Sequence, residues 1–385
     1  MRIGLFTDTY TPEVNGVVNS VLMLNEGLCE QGHDVFVIAP KHPEAPEEDR
    51  VYRAHSIALP TLKERRLAFP YSAALWARIR TLDLDVVHTH TEFGVGSFGF
   101  RAHRELGIPQ VHTYHTVWEE YTHYITRGLL DKQGRAVVQA QSRRLLSRVD
   151  HVIVPSLKTR ELLRSYQVAT PITVIPTGVD LARFSPPTDA DTARLAALRQ
   201  QYATDGFAHT LLMIGRVASE KSVRELLEMT MVYLRAHHDT CLLVVGGGPA
   251  LGELKACSSA SDVAAQVLYT GEVTWDFVPD FYRISDVLIG NSHTETQGLT
   301  FIEAVASGVP VVTRYNTCFD GILSDDIDAS LFTEDEQFLP ALVDALNPQL
   351  RDMRISAGLA AAQAISKSAF AQHVEDVYEQ LLACP

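Results

Sequence analysis

The sequence predicts an α/β protein built as two Rossmann-like domains, their parallel sheets facing each other across a cleft. Three observations carry this. Short Val/Ile/Leu-rich runs alternate with helical stretches along the whole chain, the pattern of parallel sheets covered by helices. The length, 385 residues, exceeds the roughly 250–300 at which a single core stops growing. A polar stretch with two prolines, Arg183-Phe184-Ser185-Pro186-Pro187-Thr188-Asp189, interrupts the alternation and suits a linker.

The expected domains are 1–184 and 185–365. An amphipathic helix in 366–385, from about Ser366 to Leu382, crosses back onto the first domain. Strands are expected at Ile3–Thr7, Val35–Ala39, Val86–Thr89, Gln110–Thr113, Val152–Val154 and Ile172–Ile175. In the second half they fall at Thr210–Ile214, Leu242–Val245, Val267–Tyr269, Val287–Ile289 and Val311–Val312. Ligands of such sheets bind beyond the carboxyl ends of the strands, and the motifs below fall at that edge.

Composition is that of an ordinary globular protein, 46% hydrophobic and 21% charged. The five cysteines (Cys29, Cys241, Cys257, Cys318, Cys384) are scattered without a C-x-x-C pair, which argues for a reducing compartment and against a disulfide or zinc framework. The chain opens on a strand-like run rather than a signal peptide, and no uncharged apolar run approaches the ~20 residues that span a bilayer. A cytoplasmic location is expected. The net charge of −14 argues against nucleic-acid binding.

That charge is unevenly spread. Residues 1–184 carry 21 Lys/Arg against 20 Asp/Glu, and residues 185–385 carry 12 against 27. Within the first half, 127–164 hold nine basic and three acidic side chains, and Lys63, Arg65 and Arg66 are followed by Leu67, Phe69 and Tyr71. Basic residues beside apolar ones suit an anionic bilayer surface; a solvated face is the plainer alternative.

The richest stretch is Thr294-Glu295-Thr296-Gln297-Gly298-Leu299-Thr300-Phe301-Ile302-Glu303-Ala304. Leu299, Ile302, Val305 and Ala306 recur at helical spacing, so a helix begins near Gly298 and offers its free N–H groups to an anion. Glu295 lies just outside that end and Glu303 about a turn and a half inside. A phosphate held there would have a sugar hydroxyl at each carboxylate. Either Glu alone is as easily explained by the helix dipole, worth a few tenths of a kcal/mol.

Gly215-Arg216-Val217-Ala218-Ser219-Glu220-Lys221 follows the strand Thr210–Ile214 and places two cations where a diphosphate leaving group needs them. Gly246-Gly247-Gly248-Pro249 follows the next strand and removes side chains where a nucleotide or sugar must pass. Near the N-terminus, Gly16 opens a helix after the first strand, in a phosphate-binding turn or a plain strand-to-helix turn; one glycine is no dinucleotide fingerprint. His112-Thr113-Tyr114-His115 ends another strand. His115 is expected to hydrogen-bond a sugar or polarise a phosphate and His112 to be structural, with His88 and His90 open. No nearby Asp, Glu or Cys is seen to complete a metal set. Asp83-Leu84-Asp85 matches a metal-binding D-x-D but lies at the amino end of a strand, the wrong end for a site.

In this order the Gly16 loop, the His115 motif, Pro176-Thr177-Gly178-Val179-Asp180, Arg216 with Lys221, Gly246–Pro249 and E-x₇-E resemble retaining glycosyltransferase family 4, of GT-B architecture, over nearly the whole chain. More narrowly, Thr91-Glu92-Phe93-Gly94, Thr113-Tyr114-His115-Thr116, Glu119-Glu120-Tyr121-Thr122-His123-Tyr124 and Glu295–Thr300 resemble bacterial enzymes that glycosylate diacylglycerol. The resemblance implies a donor site of Gly16, Arg216, Lys221, Gly247, Glu295, Thr296, Gln297, Gly298, Leu299 and Glu303. Arg216 and Lys221 would hold the diphosphate, Glu295 the transferred sugar and Glu303 the ribose. Catalysis would rest on Arg216, Lys221, Glu295 and His115, with no metal cofactor. Lys63, Arg65, Arg66, Tyr121 and Tyr124 would face the acceptor and membrane. The implied reaction moves glucose from UDP-glucose to 1,2-diacylglycerol with retention, by a protein peripheral on the inner face of the cell membrane. The residues leave open a soluble or cell-envelope polysaccharide acceptor, a UDP-sugar epimerase and a sugar-nucleotide sensor. One departure is Thr177, where the family usually has Asn.

Overall fold

The structure, a computed structural model, describes the backbone of residues 1–13, 15–59, 62–115 and 131–383, and their side chains except at 59, 62–65, 131–133 and 135. The chain forms two compact units. One comprises residues 1–178 with 367–385, the other residues 179–366.

The first unit is a seven-stranded parallel sheet. Its strands are β1 (Arg2–Phe6), β2 (Asp34–Pro40), β3 (Val51–Ala54), β6 (Val86–Thr89), β7 (Gln110–Thr113), β8 (His151–Val154) and β9 (Ile172–Val174), in the order β3-β2-β1-β6-β7-β8-β9. Between β3 and β6 the chain makes a separate antiparallel hairpin, β4 (Ser56–Leu59) with β5 (Leu62–Ala68). The second unit is a six-stranded parallel sheet of β10 (His209–Ile214), β11 (Thr240–Val245), β12 (Val267–Gly271), β13 (Val287–Gly290), β14 (Val311–Arg314) and β15 (Ala329–Phe332), ordered β12-β11-β10-β13-β14-β15.

Both orders run outward from a first strand and then reverse, the Rossmann arrangement. The strands form because their alternating residues feed two cores at once. Ile3, Leu5, Val35 and Val37 enter one cluster, while Phe6, Phe36 and Ile38 enter the other. In the second unit Leu212, Leu243 and Val245 face one side, and Leu211, Met213, Leu242 and Val244 the other. Burial on both faces is what near-continuous apolar strands require.

The expected strands are present within a residue or two. The sequence reading passed over the edge strands β3 and β15 and the β4–β5 hairpin. The helix expected at the C-terminus is Lys367–Ala383, and it packs in the first unit on helix Gly16–Glu30. Phe370, Ala371, Val374, Val377 and Tyr378 all enter that unit's core. At Gly27 the two helices lie close: a Cβ there would lie 2.7 Å from the Ala371 Cβ.

The polar stretch 183–189 is not a linker. Phe184 is buried against Trp275 and Tyr282, and the Arg283 guanidinium donates to the carbonyls of Arg183 and Ser185, so residues 179–184 belong to the second unit. The chain passes between units at 178/179 and 366/367. There the Val179 N–H donates to the Ile365 carbonyl at 2.9 Å, beside a Val179–Ser366 bridge.

Candidate active site

In the second unit the candidate donor residues lie near the point where the strand order reverses, between β10 and β13, and in the first unit Gly16 and His115 follow β1 and β7. In the second unit, β10 ends in Gly215 and Arg216, a short 3-10 turn covers Ser219–Lys221, and β13 leads through Asn291–Gln297 into helix Leu299–Ala306. Lys221 Nζ donates to Glu295 Oε1 at 2.6 Å, and the Thr294 hydroxyl donates to the Glu220 carbonyl at 2.9 Å, so the two loops are tied together. Arg216 is exposed, its guanidinium 3.5 Å from Glu220. Gln297 is buried and Thr296 half-buried.

Gly298 caps the helix at φ +76, a left-handed conformation that favours glycine. A side chain there would also strike Phe319 and Phe301 at under 3 Å. Gly298 has no side chain with which to cap the N–H groups of this helix, and N–H groups at a helix start suit a phosphate. Glu303 lies buried inside the helix, its Oε2 accepting the Tyr282 hydroxyl at 2.7 Å. Burial pushes its carboxyl up to about 7, against the pull of the Tyr282 bond and Arg183.

The glycine run is rebuilt by the structure. A Cβ at Gly246 would sit 1.9 Å from the Gly215 carbonyl oxygen, and one at Gly248 2.3 Å from that of Val217. The Val217 N–H donates to Gly247 O, and Ala250 N–H to Val217 O. These glycines admit a neighbouring backbone: they brace the turn that carries Arg216. At Gly247 a Cβ would meet the Glu272 side chain at 2.4 Å.

In the first unit, Gly16 opens its helix as expected, but the Asn15 side chain already accepts from Val17 and Val18 N–H. Asn before a helix is a recognisable capping signal that bears on the two alternatives at this turn. Asp8 is likewise engaged, by Thr91 Oγ1 and the Val95 N–H. Asp83-Leu84-Asp85 stands at the amino edge, where Asp85 accepts the Arg2 backbone N–H. Thr177 keeps a negative φ and places its hydroxyl 3.0 Å from that of Ser20, which explains how Thr is tolerated in that turn.

Four histidines meet at the carboxyl edge of β6 and β7. His115 Nε2 lies 3.0 Å from His90 Nδ1, and burial, then His112, pushes the His115 imidazole down to about 3. His112, expected to be structural, is fully buried, with Nδ1 on the Thr89 hydroxyl. Its Nε2 is 3.7 Å from Glu92, a carboxylate that the sequence reading did not bring near the histidines.

On the hairpin, Ile57 and Leu67 face each other across the strands and are exposed, as are Phe69 and Tyr71. Arg66 is half-buried and donates to the Ser56 carbonyl and hydroxyl, so part of its bonding capacity serves the hairpin itself. The Lys63 and Arg65 side chains, and Tyr121 and Tyr124 entirely, lie outside the described residues.

Comparison with known proteins gives the family and the fold. The sequence model for Glycosyltransferase Family 4 matches residues 14–183, and that for Glycosyl transferases group 1 matches 196–358. The chain is 35% identical to the alpha-monoglucosyldiacylglycerol synthase of Streptococcus pneumoniae, over 98% of this chain and 85% of the relative. It is 29% identical to the enzyme of the same name from Acholeplasma laidlawii, over 99% and 98%. A GDP-mannose-dependent alpha-mannosyltransferase of Mycolicibacterium smegmatis is 31% identical over 81% and 79%. Among solved structures, the sucrose-phosphate synthase of Thermosynechococcus elongatus superimposes with a TM-score of 0.76 at 20% identity, over 100% and 99% of the two chains. The chain thus has the GT-B fold and belongs to glycosyltransferase family 4.

Proposed function

We propose that this glycosyltransferase moves glucose from UDP-glucose to 1,2-diacylglycerol with retention, giving an α-glucosyl diacylglycerol. The observation that carries the reading is the likeness to two alpha-monoglucosyldiacylglycerol synthases over almost the full chain. The exposed Ile57, Leu67, Phe69 and Tyr71 add an apolar face suited to a bilayer, beside which basic residues would meet anionic headgroups. The protein would work peripherally on the inner face of the cell membrane.

In this reading the second unit holds the donor. Arg216, Lys221 and the first N–H groups of helix Leu299–Ala306 offset the charge that grows on the diphosphate as the glycosidic bond breaks, without a metal cofactor. Lys221 would exchange part of its contact with Glu295 for phosphate oxygen, leaving Glu295 for a hydroxyl of the sugar. Glu303 would accept from the ribose. The acceptor hydroxyl attacks from the face the leaving group departs, and the departing phosphate oxygen takes its proton. No carboxylate nucleophile is required, in contrast to a double displacement. His115 hydrogen-bonds the sugar or phosphate.

A second reading keeps the fold and changes the substrates: the mannosyltransferase relative supports a different donor and a soluble or envelope acceptor. The test is nucleotide release from UDP-glucose and from GDP-mannose, with and without vesicles of diacylglycerol and anionic lipid. UDP release that requires diacylglycerol, with a glucolipid product, is expected, and Arg216→Ala or Lys221→Ala should cut it roughly 10²-fold or more. Release only from GDP-mannose, or with soluble acceptors alone, would favour the second reading. Release independent of any acceptor would point to hydrolysis or epimerisation.

A further inference from the structure

The histidines at the carboxyl edge of β6 and β7 form an ordered row. His88 is fully buried with both ring nitrogens engaged, Nδ1 with the Tyr378 hydroxyl at 2.5 Å and Nε2 with the Thr113 hydroxyl at 2.7 Å. His90 stacks on it at 4.2 Å between ring centroids, and His115 follows His90 at 5.3 Å. His90 Nδ1 is 3.0 Å from His115 Nε2, while His90 Nε2 is buried with no hydrogen-bond partner among the described residues.

This asymmetry decides where the protons are. Burial pushes both imidazoles below their usual range, so each is neutral and carries one N–H. The 3.0 Å contact needs one of those N–H groups. If His115 donated, the proton of His90 would sit on Nε2, a buried donor with no acceptor among the described residues. If His90 donates, its Nε2 keeps only a lone pair. Orphaned buried N–H groups are the rarer case, and burying a donor without an acceptor is costly.

We infer that His90 is a positioning residue that donates its Nδ1–H to His115 Nε2 and holds His115 as the Nδ1–H tautomer. The lone pair of His115 is then occupied, and the proton on Nδ1 is what it can offer a ligand. His115 would act as a neutral hydrogen-bond donor to a phosphate or sugar oxygen, not as a base. His88, clamped between Thr113 and Tyr378, is the floor that fixes the His90 ring. The inference rests on the proposed contact of His115 with substrate, and its test separates the two.

Imidazole ¹⁵N shifts of the full chain labelled at histidine, read at neutral pH, should show His115 protonated on Nδ1. His90→Phe keeps a ring on His88 but removes the donor, and should shift His115 toward the Nε2–H form. His90→Asn, whose side-chain amide can reach the place of Nδ1, should restore the Nδ1–H form, which a purely structural role would not predict. In turnover, His115→Ala and His90→Phe should each lose at least 10-fold in kcat, and the double variant no more than the worse single one. His115 protonated on Nε2 in the unsubstituted protein, or losses that multiply in the double variant, would overturn the inference. Unchanged turnover in His115→Ala would instead remove its contact with substrate, leaving the tautomer result to decide the role of His90.

Discussion

Glu303 shows what a single residue can cost the molecule that carries it. Its folded pKa, about 7, is above the ordinary 4.5, so the folded chain holds this proton more tightly than the unfolded one. The stabilisation is therefore complete below pH 4.5 and is lost as pH rises through 7. Glu303→Gln keeps an acceptor for the Tyr282 hydroxyl and cannot ionise. It should be more stable than the parent at pH 8, by up to roughly 3 kcal/mol, because the fall in stability that Glu303 gives the parent between pH 5 and 7 is absent from the variant. Thermal melts across that range check it, and a variant less stable at pH 8 would contradict the burial argument. The proposed ribose contact adds a raised donor KM in the same variant, a trade of function for stability. That Glu295 and Lys221 lie close together was legible because each follows the carboxyl end of a strand in neighbouring loops. The partners of the histidines were not. Tyr378 reaches His88 from 290 residues away, and no spacing rule connects them.

Elements were legible in proportion to how completely they are buried. Strands such as Thr240–Val245 are buried at every position and announce themselves as apolar runs. The edge strand Val51-Tyr52-Arg53-Ala54 has only Ala54 fully buried, and β15 follows a polar loop, so neither carries the same signal. The hairpin segment was read for its basic and apolar residues, not for strands; its pairing depends on cross-strand register, which composition does not encode. Contact between helices is also a matter of register. Gly27 lets helix Gly16–Glu30 meet Lys367–Ala383, and Lys367 closes the junction with ion pairs to Glu30 at 2.7 Å and Glu26 at 3.3 Å. Gly27→Val must push these helices apart and should destabilise the first unit by about 1–3 kcal/mol. Denaturant unfolding followed in that unit measures it. Gly107→Ala, where nothing lies within 4 Å but φ is +69, should be felt only as local backbone strain.

At the scale of the whole chain, the repeated Rossmann order was implicit in the alternation of strands and helices, but the division of the chain was not. The proline stretch looked like a boundary because polar, proline-containing segments often are; here its Phe184 and the carbonyls that receive Arg283 bind it into the second unit. The actual crossings lie beside each other at Val179 and Ser366. A chain cut after Ser366 should keep the cooperative unfolding of the second unit and lose that of the first, as read by limited proteolysis and calorimetry; two intact transitions would show the returning helix to be dispensable. The same discontinuity bears on biosynthesis. As the chain emerges from the ribosome, residues 1–178 arrive early yet lack Phe370, Val374 and Val377 for their core and the Tyr378 hydroxyl for His88, and must wait for the entire second unit to be translated. Domains made first ordinarily fold first; in this protein the histidine row can be assembled only after the later-made unit has passed, which leaves a nascent, half-covered sheet as the stretch a chaperone would be expected to hold.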